Sequence, residues 1–270
     1  MTDDSGTKQS TGATPPTHPL NRIGKVVAVA SGKGGVGKSS VTALLAVLLQ
    51  RHHYRVGIMD VDITGPSIPK LFGTGAPAVQ TELGIEPVVT KQGIKLISMN
   101  AVLEQEDAPV IWRGPIVSQV VKQFWNEVAW GELDCLLLDF PPGTGDVPLT
   151  VFQTIPLDGM IIVTTPQDLV ALIVKKAYNM AKMMDVPILG LIENMSYLQC
   201  PDCGQTIELF GPSRAAAMAD ALATQLLGRL PVQPELARAG DAGTIENYPA
   251  EGLAEALKIF DQLLRQPAPV

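Results

Sequence analysis

Residues 26–39 of the sequence read VVAVASGKGGVGKS, and this stretch decides the fold. Its first part is an apolar run of the kind that is buried on both faces of a parallel sheet, and its second part has the pattern G-x-x-x-x-G-K-S. Glycines between a strand and a helix let backbone N–H groups converge on phosphate oxygens, and the helix N-terminus adds partial positive charge. The stretch therefore predicts a phosphate-binding loop, because a lysine and a serine at this spacing have no purpose in folding alone.

The loop predicts binding of ATP with magnesium. Lys38 is expected to reach the β- and γ-phosphates, and the hydroxyl of Ser39 to ligate magnesium. The other predicted contacts to the nucleotide within the loop and the first turn of the helix are Gly32, Gly34, Gly35, Val36, Gly37 and Ser40.

The rest of the chain alternates apolar runs with helical periods. Strands are predicted at 26–30, 55–59, 94–99, 133–138, 159–165 and 187–192, and helices at 38–52, 115–129, 169–184, 213–225 and 252–265. This alternation predicts an α/β protein with a three-layer P-loop NTPase fold, in which helices cover both faces of a mainly parallel sheet. Residues 1–22 are rich in Ser, Thr, Gly and Pro and predict a disordered tail before a single domain at 23–267.

Carboxylates follow two of the predicted strands, at the edge of the sheet where ligands bind. Asp139 ends an apolar run and is placed to hold magnesium through water. Asp60 and Asp62 leave an earlier strand; Asp60 fits either a strand-end cap or the magnesium shell. Aspartates at strand ends are often only turn formers, which is the alternative for all three.

The second feature with chemistry is the sequence CPDCG at residues 200–204. Cys200 and Cys203 are spaced to place two thiolates around one metal, and Gly204 lets N–H groups point at the sulfurs. A thioredoxin-like redox pair, a zinc ribbon and an iron–sulfur site all use this spacing. The only other cysteine, Cys135, lies inside a predicted buried strand, and no histidine is near. One chain thus offers two ligands, so a four-coordinate site requires two chains.

Composition restricts the class of partner. The formal net charge of −7 argues against generic binding to nucleic acid or to an anionic membrane surface. Three cysteines in 270 residues do not form a disulfide framework, which makes a reducing cytoplasm the expected location. The N-terminus has no apolar run and does not resemble a signal peptide.

Several separated blocks together resemble the Mrp (ApbC-type) iron–sulfur cluster carriers, a branch of the deviant Walker ATPases that include the nitrogenase iron protein and the Min and Par proteins. The matching blocks are SGKGGVGKS at 31–39, DVD at 60–62 with GPS at 65–67, WRGP at 112–115, DFPPGTGD at 139–146, TPQ at 165–167, ENMS at 193–196 and CPDCG at 200–204. The resemblance covers nearly all of residues 25–265.

This resemblance implies a homodimer that holds a labile [4Fe–4S] cluster between Cys200 and Cys203 of both subunits, with ATP governing receipt or release. Apo iron–sulfur proteins and cluster scaffold proteins are the implied partners. Lys33 would reach across the dimer interface to the partner's nucleotide, and Asp62 matches the aspartate that activates the attacking water. Asn194 matches a position that meets the adenine base, although it could be a turn residue. For Arg113 the resemblance gives no role.

Two rival functions remain open from the sequence. A Min-like or Par-like positioning ATPase would need a basic C-terminal helix or a basic surface for DNA, and acidic residues outnumber basic ones in the last predicted helix. An ATPase with a structural zinc at the dimer seam is equally compatible with the cysteine pair, because thiolates accept zinc as well as iron.

Overall fold

A computed structural model describes residues 17–62, 67–75, 78–98, 114–143, 145–167 and 170–266. Parts of several predicted features fall outside these ranges. Among them are residues 1–16 of the tail, Gly65 and Pro66, Met99 at the end of a predicted strand, Trp112 and Arg113, Thr144, and Leu169 at the start of a predicted helix.

The strands and helices are as follows. The strands are β1 (Arg22–Ser31), β2 (Val56–Asp60), β3 (Val79–Thr81), β4 (Gly84–Glu86), β5 (Val88–Val89), β6 (Lys95–Ser98), β7 (Glu132–Asp139), β8 (Gly159–Thr164), β9 (Ile188–Glu193), β10 (Leu198–Gln199), β11 (Thr206–Ile207) and β12 (Leu226–Arg229). The helices are α1 (Lys38–Arg51), α2 (Ile68–Leu71), α3 (Gly114–Glu127), α4 (Asp146–Thr154), α5 (Val170–Met183), α6 (Ala215–Ala221), α7 (Pro234–Asp241) and α8 (Ala254–Leu264), and a 3₁₀ turn lies at Ile245–Asn247.

Within the described chain, eight strands form one sheet in the order β12-β9-β8-β1-β7-β2-β6-β5. Neighbouring strands are parallel except at the edge, where β5 runs antiparallel to β6. Two short hairpins, β3–β4 and β10–β11, lie outside this sheet. Among the described residues, no helix combines the length and apolar character needed to cross a bilayer.

The side chains of β1 show how the sheet is covered on both faces. Val26, Ala28 and Ala30 belong to one buried cluster, which also contains residues of α3, α4 and α5, whereas Val27 and Val29 belong to a second cluster with α1 and α8. A strand buried on both faces needs apolar residues at every position, as this run has. The predicted three-layer α/β fold is confirmed.

The register of the central strands places the predicted carboxylates side by side. Asp139 at the end of β7 is paired with Val29 of β1 on one side and with Asp60 at the end of β2 on the other. Because these strands are parallel and neighbours, their carboxyl ends meet beside the glycine loop that follows β1.

Some predicted limits of elements differ from the structure. Residues 17–22 lie within the predicted tail, where Thr17 donates a hydrogen bond to the Trp125 carbonyl at 3.0 Å and Arg22 opens β1. The helix predicted at 213–225 is α6, which ends at Ala221 because Ala223 adopts a left-handed conformation with φ of 49°.

Candidate functional site

The glycine loop joins the end of β1 to the first turn of α1, as the sequence predicts. Gly35 and Gly37 have φ angles of 77° and 74°, in the left-handed region that other residues avoid. A Cβ atom at Gly37 would lie 2.3 Å from Nδ2 of Asn194, so no side chain fits there. The loop borders an open cavity of about 250 Å³. The described residues that line this cavity are Ser31, Lys33, Gly34, Gly35, Val36, Gly37, Lys38, Ser39, Ser40, Asp62, Ser67 and Pro142.

Lys38 contacts the carboxylates of two other predicted site residues. Its Nζ atom lies 2.8 Å from Oδ2 of Asp139 and 3.7 Å from Oδ2 of Asp62. Both Lys38 and Asp139 are buried, and opposite charges attract more strongly away from water. The fold thus brings together three residues that are far apart in the chain.

Hydroxyl groups from α1 complete the environment of Asp139. Ser39 Oγ donates a hydrogen bond to Oδ2 at 2.6 Å, and Thr42 Oγ1 donates to Oδ1 at 2.7 Å. The sequence reading did not include Thr42. The sequence does contain a signal for Thr42, because it is a single polar residue in an apolar helical run. It follows Lys38 by one turn and therefore lies on the same face of the helix.

Asp60 is fully buried beside this group. Its Oδ1 atom accepts a hydrogen bond from the backbone N–H of Asp62 at 3.1 Å, and its Oδ2 atom accepts one from the Ser98 hydroxyl at 3.2 Å. Burial, and after it the negative charge of Asp139, raises the pKa of the Asp60 carboxyl well above its usual range. Asp60 therefore supports the loop that carries Asp62, and it does not line the cavity within the described chain.

The donor set beside Lys38 fits magnesium. Magnesium prefers hard oxygen ligands, and it is usually held by one or two carboxylates together with substrate phosphates. The Ser39 hydroxyl and the Asp139 carboxylate meet at 2.6 Å, next to the carboxylate of Asp62. These carboxylates exceed the positive charge of Lys38, so the site attracts a further cation.

Lys33 lines the cavity, and its side chain contacts a residue of the same chain. Its Nζ atom donates a hydrogen bond to Oε1 of Gln167, in the loop after β8, and Ser31 Oγ donates to the Lys33 carbonyl at 3.0 Å. The predicted role of Lys33 across a subunit interface stays a prediction. Its position at the rim of the cavity is compatible with that role, because the lysine is only partly buried.

Asn194 packs against the underside of the glycine loop. Its Nδ2 atom donates to the Val36 carbonyl at 2.9 Å, and its backbone N–H donates to the Thr164 carbonyl at 2.8 Å. With 4% of its surface exposed, Asn194 is held in place by the loop. Contact between Asn194 and an adenine base stays a prediction.

The cysteine pair lies at the tip of the β10–β11 hairpin. The Gly204 N–H donates to the Cys200 carbonyl at 2.9 Å, and Gly204 has a φ of 71°, which closes the turn. Backbone hydrogen bonds from Cys203 and then Asp202 lower the pKa of the Cys200 thiol. Cys203 is exposed and Cys200 is partly exposed, so the two thiols form one outward-facing pair.

The structure, like the sequence, offers two cysteine ligands for a metal at this hairpin. Among the described residues, no group of three or more His, Cys, Asp or Glu side chains could hold a metal ion. Cys135 lies inside β7, and burial raises the pKa of its thiol. Within the described chain, Cys200 and Cys203 could therefore supply two of the four ligands that a four-coordinate site needs.

Comparison with known families gives a match over residues 22–266 to the family described as "ParA: NUBPL iron-transfer P-loop NTPase". The chain belongs to the NUBPL iron-transfer family of P-loop NTPases. This NUBPL-type NTPase is 46% identical over 249 residues to an "Iron-sulfur cluster carrier protein" from Clostridium perfringens, covering 89% of this chain and 87% of that one. It is 47% identical to a protein of the same description from Methanocaldococcus jannaschii, covering 83% and 78%.

Solved structures agree with this assignment. The NUBPL-type chain is similar to a nucleotide-binding protein from Archaeoglobus fulgidus solved in complex with ADP, with 43% identity, a TM-score of 0.77 and coverage of 84% and 89%. It also shares its fold with MinD in the MinC–MinD complex from Aquifex aeolicus, with 20% identity, a TM-score of 0.63 and coverage of 91% and 98%. At that identity the similarity to MinD shows the fold alone.

Proposed function

We propose that this chain is an ATP-hydrolysing carrier of iron–sulfur clusters, in which two copies hold one [4Fe–4S] cluster as cargo and deliver it to apo-proteins. The observation that carries this proposal is an outward-facing pair of thiols on a P-loop NTPase. The relatives named as carriers support the same role. A redox function fits less well, because the pair lies on a hairpin tip and not at the start of a helix.

The number of ligands supports a shared site. Iron–sulfur clusters of this type are held by four thiolates, and each copy supplies Cys200 and Cys203. A two-fold axis through the cluster would bring the second pair into place. Thiolates are the binding form, so the lowered pKa of Cys200 favours cluster binding at neutral pH.

The surface next to the hairpin supports a protein contact. Ile207, Leu209 and Phe210 follow Cys203 closely in the chain, and 42%, 49% and 43% of their surfaces are exposed. Neighbouring large apolar side chains in contact with water are typical of binding surfaces. We assign this strip to the seam between the two copies, where it would also keep water from the cargo.

The second site would provide regulation by ATP. Lys38 would move from Asp139 to the phosphates, and the Ser39 hydroxyl and the Asp139 carboxylate would hold magnesium, which neutralises phosphate charge. Asp62 would accept a hydrogen bond from the attacking water, and Lys33 would exchange Gln167 for the partner's nucleotide. Closure of the two copies around ATP is then coupled to the state of the cluster between them.

The test is cluster transfer with a matched pair of cysteine variants. The wild-type chain, reconstituted anaerobically with iron and sulfide, should restore activity to an apo [4Fe–4S] enzyme. Cys203→Ala should lose both visible absorbance and transfer while it keeps nucleotide affinity, and Cys135→Ala should behave as wild type. A colourless chain that holds zinc and transfers nothing would contradict the carrier function. Loss of nucleotide binding in Cys203→Ala would show that the cysteine pair belongs to the nucleotide site and is not a second, independent site.

A further inference from the structure

One segment of chain, residues 193–199, connects the glycine loop to the cysteine hairpin. It starts at the last residue of β9 and ends in β10. The side chain of Asn194 is hydrogen-bonded to the Val36 carbonyl and leaves no room for a Cβ atom at Gly37. Met195 follows with a φ of 53°, which is unusual for a residue other than glycine. Because this contact has no free space, a shift of the loop at Val36 must displace Asn194.

Arg229, the last residue of β12, fixes the middle of this segment. Its Nε atom donates to Ser196 Oγ at 2.8 Å and lies 3.4 Å from Oε2 of Glu193. The Ser196 hydroxyl in turn donates to the Glu193 carboxylate. Both Ser196 and Glu193 are buried, and a buried carboxylate is strongly destabilised when its charged partner is removed.

The same guanidinium group reaches the hairpin. Its Nη2 atom lies 3.9 Å from Oε1 of Glu208, the residue directly after β11. Its Cζ atom lies 5.6 Å from the ring centre of Tyr197, the residue directly before β10. One side chain therefore contacts the residues that flank both strands of the hairpin.

We propose that Arg229 is a positioning residue that makes the orientation of the cysteine hairpin depend on whether nucleotide fills the glycine loop. The path runs from Val36 to Asn194, along the chain to Ser196, and through Arg229 to Tyr197 and Glu208. Arg229 is not among the described residues that line the loop cavity, so it acts through this path. The proposal rests on the proposed function only in taking Cys200 and Cys203 as the cargo site.

Cysteine reactivity in the metal-free, full-length chain tests this directly. The alkylation rates of Cys200 and Cys203 with iodoacetamide are measured by peptide mass spectrometry, with and without magnesium and a non-hydrolysable ATP analogue. In the wild type, the analogue should change the rate by about fivefold or more, a usual size for coupling between two sites. In Arg229→Met, the change should fall below about twofold, while the affinity for the analogue stays within about twofold of wild type.

Three further variants make the result decisive. Arg229→Lys should restore part of the response, because an ammonium keeps the charge but cannot contact Ser196 and Glu208 with one planar group. Arg238→Met removes another arginine paired with a glutamate, on the exposed surface, and should respond as wild type. Glu208→Gln changes an exposed residue, should reduce the response by about half, and replaces Arg229→Met if that variant does not fold.

Three results would overturn the proposal. The first is an alkylation rate in the wild type that the bound analogue does not change. The second is a change of full size in Arg229→Met, or in Glu208→Gln where it serves as the substitute. The third is a loss of affinity for the analogue in Arg229→Met. Failure of the carrier function would show itself separately, as absent cluster transfer, because the alkylation assay uses no cluster.

Discussion

At the scale of single residues, Lys38 is the side chain on which the nucleotide site depends. It lies between the carboxylates of Asp139 and Asp62 and opens the helix that follows the glycine loop. Lys38→Ala should lower ATP hydrolysis by at least about 100-fold, because a positive group that stabilises the transferring phosphoryl is lost. Phosphate release measures this effect. Lys70→Ala, at an exposed lysine, should keep full turnover. Surviving turnover in Lys38→Ala would contradict the assignment of the loop.

Asp60 predicts a pH-dependent change in stability. Its pKa is raised in the folded protein, so the folded state holds this proton more tightly than the unfolded chain does. The free energy of unfolding contributed by Asp60 therefore falls as pH rises from about 4, the value of the unfolded carboxyl, through the raised pKa. Asp60→Asn removes this loss and keeps an oxygen to accept the Asp62 N–H. It should stabilise the protein more at about pH 8 than at about pH 4.5, because the amide that replaces the carboxyl never ionises.

Urea unfolding of the nucleotide-free protein at about pH 4.5 and about pH 8 measures this difference. Asp134→Asn is the control with the opposite sign. Hydrogen bonds from Arg55 lower the pKa of Asp134, so its stabilisation is present at neutral pH and is lost on acidification. If Asp60→Asn raised the free energy of unfolding equally at both pH values, ionisation of Asp60 would not destabilise the folded protein.

Spacing carried the residue-level prediction furthest at the glycine loop. The loop pattern and the strand-end carboxylates pointed to Lys38, Ser39, Asp62 and Asp139, and the fold brings these residues together, whereas their roles toward ATP and magnesium stay predictions. Thr42 was missed because its role depends on which face of α1 meets β7, which spacing within the motif does not define. Arg229 was missed for the same reason, since its partners come from two separate segments, residues 193–197 and Glu208.

At the scale of elements, the hairpin that carries the cysteines predicts unequal thiol reactivity. Its backbone N–H groups lower the pKa of Cys200, whereas burial inside β7 raises the pKa of Cys135. In the folded, metal-free protein, alkylation of Cys200 should reach half its maximal rate below about pH 8.5, the value for a free thiol. Cys135 should stay unmodified until the chain is unfolded in urea. A midpoint for Cys200 that is the same in folded and unfolded protein would contradict this effect of the hairpin.

Prediction of elements followed the strength of the pattern. The apolar strands β7 and β8 were predicted within one residue of their limits, because burial on both faces leaves a continuous signal. The strand β1 starts four residues before its predicted limit, since its first residues are polar or only partly buried. The helix α4 was not predicted, since it follows directly on the glycine- and proline-rich residues 141–145, which are typical of a loop. The edge strand β12 and the hairpin strands β10 and β11 have four residues or fewer, too short for a periodic pattern.

At the scale of the whole molecule, the described chain combines a phosphate-loop cavity with an exposed pair of thiols. The phosphate loop alone predicts an NTPase, and the family match confirms it. The family match and the relatives described as iron–sulfur cluster carriers then favour a carrier over a positioning ATPase of the same fold. In the proposed carrier, a second copy completes the four thiolates.

Iron content and particle mass of the anaerobically reconstituted protein show directly whether two copies share one cluster. A cluster shared by two copies predicts about two iron atoms and about two sulfides per chain, in a particle of twice the chain mass. Cys203→Ala should contain no iron and lose the cluster-bridged dimer. About four iron atoms per chain in a single copy, or a dimer that holds zinc and no iron, would contradict the account.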